Sequence, residues 1–170
     1  LETFFGFLLV SSEFKVGEFR IDTLAYDESS NAFVIIEYKR GSSYSVVDQG
    51  YSYLSTMVNN KAEFILEYNE KTGNALKRNG VDWASSRVVF VAPSFNSYQR
   101  NSINFSGIPF ELWEIRKFEK GLVALDRLES SSSENIEKLV SKDDQSVISK
   151  VNSEVKTTTL EQHEKAMDDS

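Results

Sequence analysis

The sequence predicts an α/β fold built on a mixed β-sheet, and three observations lead to this prediction. Three short segments of strand-like composition come first, between residues 7 and 39. From Val46 onward the apolar residues recur at helical spacing instead. Strand-like segments then return at 87–92 and between 109 and 128, which gives the element order βββ-αα-β-α-ββ.

The first three strands are expected to form an antiparallel meander. Residues 7–15 and 18–26 have strand-like composition, and Val16-Gly17 between them suits a hairpin turn. The cluster DESSN at 27–31 is rich in turn-forming residues. It leads into a third strand at 32–39, whose first half is continuously apolar and therefore fits a strand buried on both faces.

The second half of the domain alternates between helices and strands. A helix is predicted at 45–59, and a second at roughly 60–72 ends near Gly73. The remaining predicted elements are a buried strand at 87–92, a short helix within 94–105, and strands at 109–118 and 121–128.

The composition changes after the last predicted strand, so we expect one α/β domain at 1–127 and a linker or tail at 128–170. The tail holds 10 acidic and 5 basic residues, whereas the domain holds 16 and 14 and is nearly neutral. We expect the tail to be flexible, partly disordered or helical, and to lead into a further C-terminal domain. The start at Leu1 rather than Met agrees with a missing N-terminus.

Two residue counts exclude several kinds of site. The chain has no cysteine, which excludes disulfides, thiolate zinc sites and cysteine nucleophiles. Its one histidine, His163, lies in the tail, which removes histidine-based triads and most zinc sites. No apolar run approaches ~18 residues and no signal-peptide pattern is visible, so we expect a cytoplasmic protein.

The strongest chemical signal is the segment FVIIEYKR at 33–40. Glu37 and Lys39 are two residues apart in a strand and therefore point to the same side. Asp22 ends the strand-like segment FRID, so the pattern reads D-x14-E-x-K. Two carboxylates from adjacent strands can hold a hard cation such as Mg²⁺. The alternative is a surface hairpin with an ordinary Glu–Lys pair.

This pattern resembles the PD-(D/E)XK nuclease superfamily, and most closely its NucS/EndoMS-type and RecB-like members. The resemblance is specific over residues 12–60 and holds only in outline over 61–127. It includes Q-x-x-x-Y on the helix after the lysine, with Gln49 and Tyr53 on one helical face. The resemblance implies a restriction-endonuclease-like mixed sheet flanked by helices. It also implies a helix before the first strand, which we expect to be missing from this chain.

The resemblance also implies roles for individual residues. Asp22 and Glu37 would bind Mg²⁺ or Mn²⁺, Lys39 would position the attacking water, and Gln49 would support the site. The residues expected to contact the substrate are Arg20, Arg40 and Tyr53. Further basic residues in the domain, which are more simply explained as scattered solvated charges, are Lys61, Lys77, Arg78 and Arg100. Trp83 and Trp113 are expected to be packing residues.

The implied function is metal-dependent hydrolysis of DNA phosphodiesters, in DNA repair, restriction or defence, by a protein that can act as a homodimer. The rival prediction is a non-catalytic module that keeps the fold and binds nucleic acid or protein. A nuclease needs Asp22, Glu37 and Lys39 clustered around a cation, whereas a scaffold tolerates them apart or salt-bridged to one another.

Overall fold

The structure is a computed structural model that describes residues 2–40, 46–103, 107 and 109–129. Of the tail predicted at 128–170, residues 130–170, which include His163, lie outside the described residues, and the domain boundary near 127 stays a prediction. The elements, in chain order, are α1 (Glu2–Phe5), β1 (Leu8–Val16), β2 (Phe19–Asp27), β3 (Ala32–Tyr38), α2 (Val46–Asn59), α3 (Lys61–Thr72), β4 (Arg87–Ala92), α4 (Ser97–Ser102), β5 (Phe110–Lys117) and β6 (Val123–Leu128).

The six strands form one mixed sheet in the order β1-β2-β3-β4-β5-β6. β1, β2 and β3 pair antiparallel, as the predicted meander requires. β3 pairs parallel with β4, and β4 with β5, because helices intervene and return the chain to the same end of the sheet. β6 pairs antiparallel with β5 at the edge of the sheet, and the turn at Glu119–Gly121 joins the two strands.

β3 is the centre of the sheet and is buried on both faces from Ala32 to Glu37. One face carries the larger apolar cluster, in which Phe33 and Ile35 pack with residues of α2 and α3 such as Met57 and Phe64. On the other face Val34 and Ile36 pack with residues of β4, and Phe5 and Phe7 at the start of the chain join this second cluster. The continuous apolar run of β3 is therefore explained by burial on two sides.

The predicted α/β class, a mixed sheet flanked by helices, is confirmed. Each predicted strand and helix of the domain is present, and most bounds differ from the prediction by one or two residues. The two tryptophans pack as expected: the Trp83 ring lies 5.6 Å from that of Phe33, and the Trp113 ring lies 4.8 Å from that of Phe5. Among the described residues no helix is long and apolar enough to cross a membrane.

Candidate active site at the end of β3

Asp22 lies beside the end of β3. β2 and β3 pair with Thr23 opposite Ile36, so the next residues along the two strands are Asp22 and Glu37. The Asp22 carboxylate bends toward the β3 backbone, where its Oδ2 accepts a hydrogen bond of 3.0 Å from the backbone N–H of Tyr38. Within the described residues no donor contacts its Oδ1. Asp22 is therefore held through Oδ2, and its Oδ1 is left for a further ligand.

Glu37 is a buried carboxylate with 7% of its surface exposed. Its Oε2 accepts a hydrogen bond of 3.0 Å from the Tyr53 hydroxyl, and its Oε1 accepts one of 2.8 Å from Gln49 Nε2. A buried charge is costly unless it is paired and hydrogen-bonded. These two donors from α2 meet that requirement and fix the orientation of the carboxylate.

Lys39 contacts the side-chain oxygen of Gln49, whereas Glu37 contacts its side-chain nitrogen. Its Nζ donates to Gln49 Oε1 and lies 3.6 Å from Glu37 Oε1. Its backbone N–H donates to the Val91 carbonyl at 2.8 Å, which anchors the segment to β4 just beyond the end of β3. The side chain is 14% exposed, so the ammonium group is held next to Glu37 and still reaches the surface.

Gln49 connects Glu37, Lys39 and Tyr53 through its side-chain amide. Its Nε2 donates to Glu37 and, at 3.0 Å, to the Tyr53 hydroxyl, while its Oε1 accepts from Lys39. Only this orientation of the amide places donors toward the carboxylate and the acceptor toward the ammonium group. We call Asp22, Glu37, Lys39, Gln49 and Tyr53 the carboxylate network.

Burial, followed by the negative charge of Glu37, raises the pKa of Tyr53 to about 12, and the charge of Asp22 adds to this effect. The hydroxyl therefore stays protonated and can serve as a permanent donor to Glu37. Because the charge of Asp22 acts on the same Tyr53 hydroxyl, Asp22 belongs to the carboxylate network together with Glu37, Lys39, Gln49 and Tyr53. The side chain of Tyr53 is only 4% exposed. This placement suits holding Glu37 better than the substrate contact predicted from the sequence.

The two arginines predicted to contact the substrate lie near the network at the surface. The Arg20 side chain forms an ion pair with Glu13 and remains 58% exposed. The backbone carbonyl of Arg20 lies 3.4 Å from the Tyr53 hydroxyl, so the residue is next to the network, while its charged group pairs with Glu13. Arg40 follows Lys39 directly and is exposed.

The other basic residues considered as a phosphate track do not form one continuous group. Arg100 pairs with Glu114 at 2.6 Å, and Lys61 lies 5.0 Å from the Trp83 ring. Lys77 and Arg78 are exposed around a short 3₁₀ turn. Their separate surroundings agree with the simpler interpretation of solvated or paired charges.

Gly50 is a residue of this site that belongs to the predicted helical pattern but was assigned no role from it. A Cβ atom added to Gly50 would lie 2.6 Å from Cε1 of the buried Phe110 ring, closer than any real contact. Glycine there lets α2 approach β5, and this contact is next to Gln49 in the helix. A glycine inside a helix costs about 1 kcal/mol relative to alanine, so its presence within the helical pattern was the available signal.

The donor set suits a cation that keeps most of its water. Asp22 and Glu37 supply carboxylate oxygens, the ligands that Mg²⁺ prefers, and one or two carboxylates are the usual number for this ion. In the described part of the chain, no group of three or more His, Cys, Asp or Glu side chains could hold a metal ion. A site built from these residues would therefore depend on the two carboxylates and on water.

The comparison with known protein sequences found one relative. A protein from Haemophilus influenzae, which is described as uncharacterised, is 51% identical to this chain over 128 residues. The matched region is 75% of this chain but 42% of that protein, so the chain spans about two-fifths of the length of this relative. No protein-family model matches the chain.

Three solved structures are similar to the chain. An EndoMS–dsDNA2 complex matches with 19% identity and a TM-score of 0.36, over 69% of this chain and 41% of the other. A repair endonuclease from Pyrococcus abyssi matches with 19% identity and a TM-score of 0.33, over 64% and 38%. SfsA from Pyrococcus furiosus, in complex with Ca²⁺, matches with 14% identity and a TM-score of 0.36, over 73% and 55%.

Their identities are 19% or lower and their TM-scores 0.36 or lower, so these likenesses carry no argument about the superfamily of this chain. Likenesses as distant as these decide neither the activity nor the substrate of this chain.

Proposed function

We propose that this chain is the catalytic domain of a metal-dependent nuclease that hydrolyses DNA phosphodiester bonds. The observation that carries the proposal is the placement of Asp22, Glu37 and Lys39. Asp22 lies within β2 beside the end of β3, which carries Glu37 and leads into Lys39, and Gln49 links Glu37 to Lys39. The choice of DNA rests on the resemblance of the motif.

Asp22 and Glu37 would hold the Mg²⁺ or Mn²⁺ ion. When bound, such an ion lowers the pKa of a coordinated water and neutralises charge that develops on the phosphate. The contribution of the chain is to fix the two carboxylates before the substrate arrives. Tyr53 and Gln49 fix Glu37, and the Tyr38 backbone N–H fixes Asp22. Such preorganisation means that little reorganisation is needed during the reaction.

Lys39 would orient the attacking water and stabilise the developing negative charge. Its ammonium group has three N–H donors, of which one is directed at Gln49. Arg40 is exposed directly after it and would contact a phosphate of the substrate. Arg20 can exchange its surface partner Glu13 for a phosphate, because exposed ion pairs contribute only about 0–1 kcal/mol.

One observation favours the rival function, a non-catalytic module that binds nucleic acid or protein. Both Glu37 oxygens already accept hydrogen bonds from the chain itself, and Lys39 neutralises the carboxylate. The cluster is therefore self-sufficient in charge and hydrogen bonding. A scaffold that had lost catalysis would keep it for stability alone.

The test is cleavage of plasmid, linear duplex and single-stranded DNA with Mg²⁺ or Mn²⁺, with and without EDTA. We expect cutting that EDTA stops. Asp22→Asn, Glu37→Gln and Lys39→Met should each lower the rate at least 100-fold. Matched controls are Glu63→Gln and Lys77→Met, which change an exposed acid and an exposed lysine elsewhere.

The same variants separate the two functions by thermal unfolding. A cation that binds only the folded state stabilises it by mass action. Mg²⁺ should therefore raise the melting temperature of the parent and of Glu63→Gln, and raise that of Asp22→Asn much less. If Mg²⁺ raises the melting temperature of parent and Asp22→Asn equally, and neither cuts DNA, the non-catalytic function is the correct one.

A further inference from the structure

Glu13 has an unusual backbone conformation for a residue inside a strand. Its φ is 55°, in the left-handed region, although it lies within β1. The other non-glycine residues with positive φ in the described part of the chain, Asn31 and Lys120, lie in turns between strands. Left-handed backbone at such residues costs free energy and is often found where a side chain has to be held in a functional position.

The register of the sheet places Glu13 beside the candidate site. The residues on either side of it pair with Ile21 and Thr23 of β2, so the residue opposite Glu13 is Asp22. Asp22 is in turn next to Glu37 of β3. Among the residues that the structure describes, no group of three or more His, Cys, Asp or Glu could hold a metal ion, so Glu13 is not a third ligand there.

The Glu13 carboxylate is instead the partner of Arg20. Nη2 of Arg20 donates to Oε1 of Glu13, and the two side chains are 58% and 64% exposed. Arg20 and Asp22 are two residues apart in β2, so their side chains leave the strand on the same side, roughly 7 Å apart. An arginine side chain spans such a distance. Arg20 therefore has two carboxylates within reach, and it is bound to Glu13.

The choice between these two carboxylates matters for a cation. Oδ2 of Asp22 is already bonded to the Tyr38 backbone, so Oδ1 is the atom that a further ligand would reach. Arginine forms strong charge-assisted hydrogen bonds with carboxylates, and on Asp22 it would also cancel the charge that attracts a cation. Arg20 on Glu13 is compatible with a cation on Asp22, whereas Arg20 on Asp22 competes with that cation.

We propose that Glu13 is a positioning residue that holds Arg20 away from Asp22 and so keeps the Asp22 carboxylate available to the metal ion. This inference rests on the proposed function for the role of Asp22 as a metal ligand. The Glu13–Arg20 pair is exposed and therefore weak, so a substrate phosphate can replace Glu13 as the partner of Arg20 once the ion occupies Asp22.

The experiment measures Mn²⁺ affinity in the absence of nucleic acid, from the electron paramagnetic resonance signal of the unbound ion. The proteins form a double-mutant cycle of the parent, Glu13→Gln, Arg20→Met and the double variant. Glu13→Gln should weaken Mn²⁺ binding roughly 5- to 20-fold when Arg20 is present, because the released guanidinium competes for Asp22. When Arg20→Met is also present, the same change should weaken binding less than about 2-fold.

The cycle distinguishes this role from two simpler ones. If Glu13 acted only through its own charge, or bound the ion itself, Glu13→Gln would weaken Mn²⁺ binding equally with and without Arg20. That result would overturn the proposal. It would also be overturned by an unchanged Mn²⁺ affinity in Glu13→Gln, or by a parent that binds Mn²⁺ no better than Asp22→Asn does.

Asp126→Asn is the matched control. It removes the acid of another exposed ion pair between neighbouring strands, in which Arg116 and Asp126 are 57% and 54% exposed. It should bind Mn²⁺ as the parent does. Glu13→Asn decides the outcome if Glu13→Gln fails to fold, because asparagine adopts the left-handed region more readily and also lacks the charge.

Cleavage assays separate failure of this inference from failure of the proposed function. Glu13→Gln should raise the Mn²⁺ concentration for half-maximal cleavage by the same factor as it weakens binding. A parent that shows the expected cycle but cuts no DNA would keep the role of Glu13 and lose the nuclease function. A parent that cuts DNA while Glu13→Gln binds Mn²⁺ equally well would keep the nuclease function and lose the role of Glu13.

Discussion

At the scale of single residues, the site depends on how one buried carboxylate is satisfied. Glu37 has 7% of its surface exposed, accepts hydrogen bonds from Tyr53 and Gln49, and forms an ion pair with Lys39. Removing one partner of a buried charge costs more than the pair contributes, because the remaining charge stays buried without compensation. Because Gln49 donates to the buried Glu37 carboxylate, it has a structural role in addition to the functional role proposed for it.

Tyr53 gives a prediction at this scale. Its folded-state pKa of about 12 lies above the ordinary value of about 10. The neutral hydroxyl therefore contributes its full stability below about pH 10, and this contribution is lost as the pH rises toward 12. We expect the parent to lose stability over this range more steeply than Tyr53→Phe, which has no proton to lose. Urea unfolding at a series of alkaline pH values measures the difference.

The control for this experiment is Tyr98→Phe, which removes a hydroxyl from a side chain that is 77% exposed. It should follow the parent at each pH. At neutral pH, Tyr53→Phe should be less stable than the parent by about 1–2 kcal/mol, because Glu37 loses a donor. If Tyr53→Phe and the parent lose stability in parallel above pH 10, Tyr53 does not hold the proton as described.

At the scale of elements, the sequence predicted the order and type of the strands and helices because their periodicities are local. The apolar run of β3 and the helical spacing after Val46 each follow from burial of one or two faces. The pattern D-x14-E-x-K likewise predicted which acids come together, since adjacent strands of a meander fix their register.

Contacts between side chains from distant elements could not be predicted in this way. Nothing in the local pattern says that Gln49 directs its amide nitrogen at Glu37 and its oxygen at Lys39, because that depends on where α2 lies above the sheet. The burial of Tyr53 and the close approach of Gly50 to β5 follow from the same tertiary placement.

The placement of α2 gives the prediction at this scale. In Gly50→Ala the new methyl group would overlap the ring of Phe110, which is only 6% exposed and cannot move freely. Overpacking of this kind costs about 1–3 kcal/mol. We expect that loss in urea unfolding, together with slower cleavage, because α2 must shift and carry Gln49 with it.

Two further variants make this prediction specific. Phe110→Leu combined with Gly50→Ala should recover part of both losses, since the smaller side chain makes room for the methyl group. Gly80→Ala is the matched control, because a Cβ there would meet only Leu76 Cδ1 at 3.6 Å, an ordinary contact. A Gly50→Ala protein that is as stable and active as Gly80→Ala would show that the close approach does not position the helix.

At the scale of the whole molecule, buried ion pairs connect strands at the end of the sheet away from Glu37. Arg87 is at the start of β4. Its Nη2 lies 2.9 Å from Oδ2 of Asp27 in β2, and its Nε lies 2.9 Å from Oε1 of Glu111 in β5. The three side chains are between 10% and 19% exposed. Pairs this well shielded are screened little by salt and connect strands across the sheet.

Asp27 makes this connection sensitive to acid. Burial by itself raises the pKa of Asp27, but hydrogen bonds from Ser29 and Arg87 outweigh it and hold the pKa well below its usual range. A carboxylate whose pKa is lowered by folding contributes stability that is present above the unfolded pKa of about 3.9 and is lost as the pH falls toward the folded value.

Asp27→Asn removes this titration and should be less stable than the parent at pH 7 by about 1.5–3 kcal/mol. Its stability should then fall less steeply in acid, so that the two proteins converge as the pH drops below about 4 in urea unfolding. Asp126→Asn, which removes an exposed partner of Arg116, serves as the control and should keep the acid dependence of the parent. If Asp27→Asn and the parent instead lose stability at the same rate below pH 4, other carboxylates govern acid unfolding and the Asp27–Arg87 pair does not hold the sheet together.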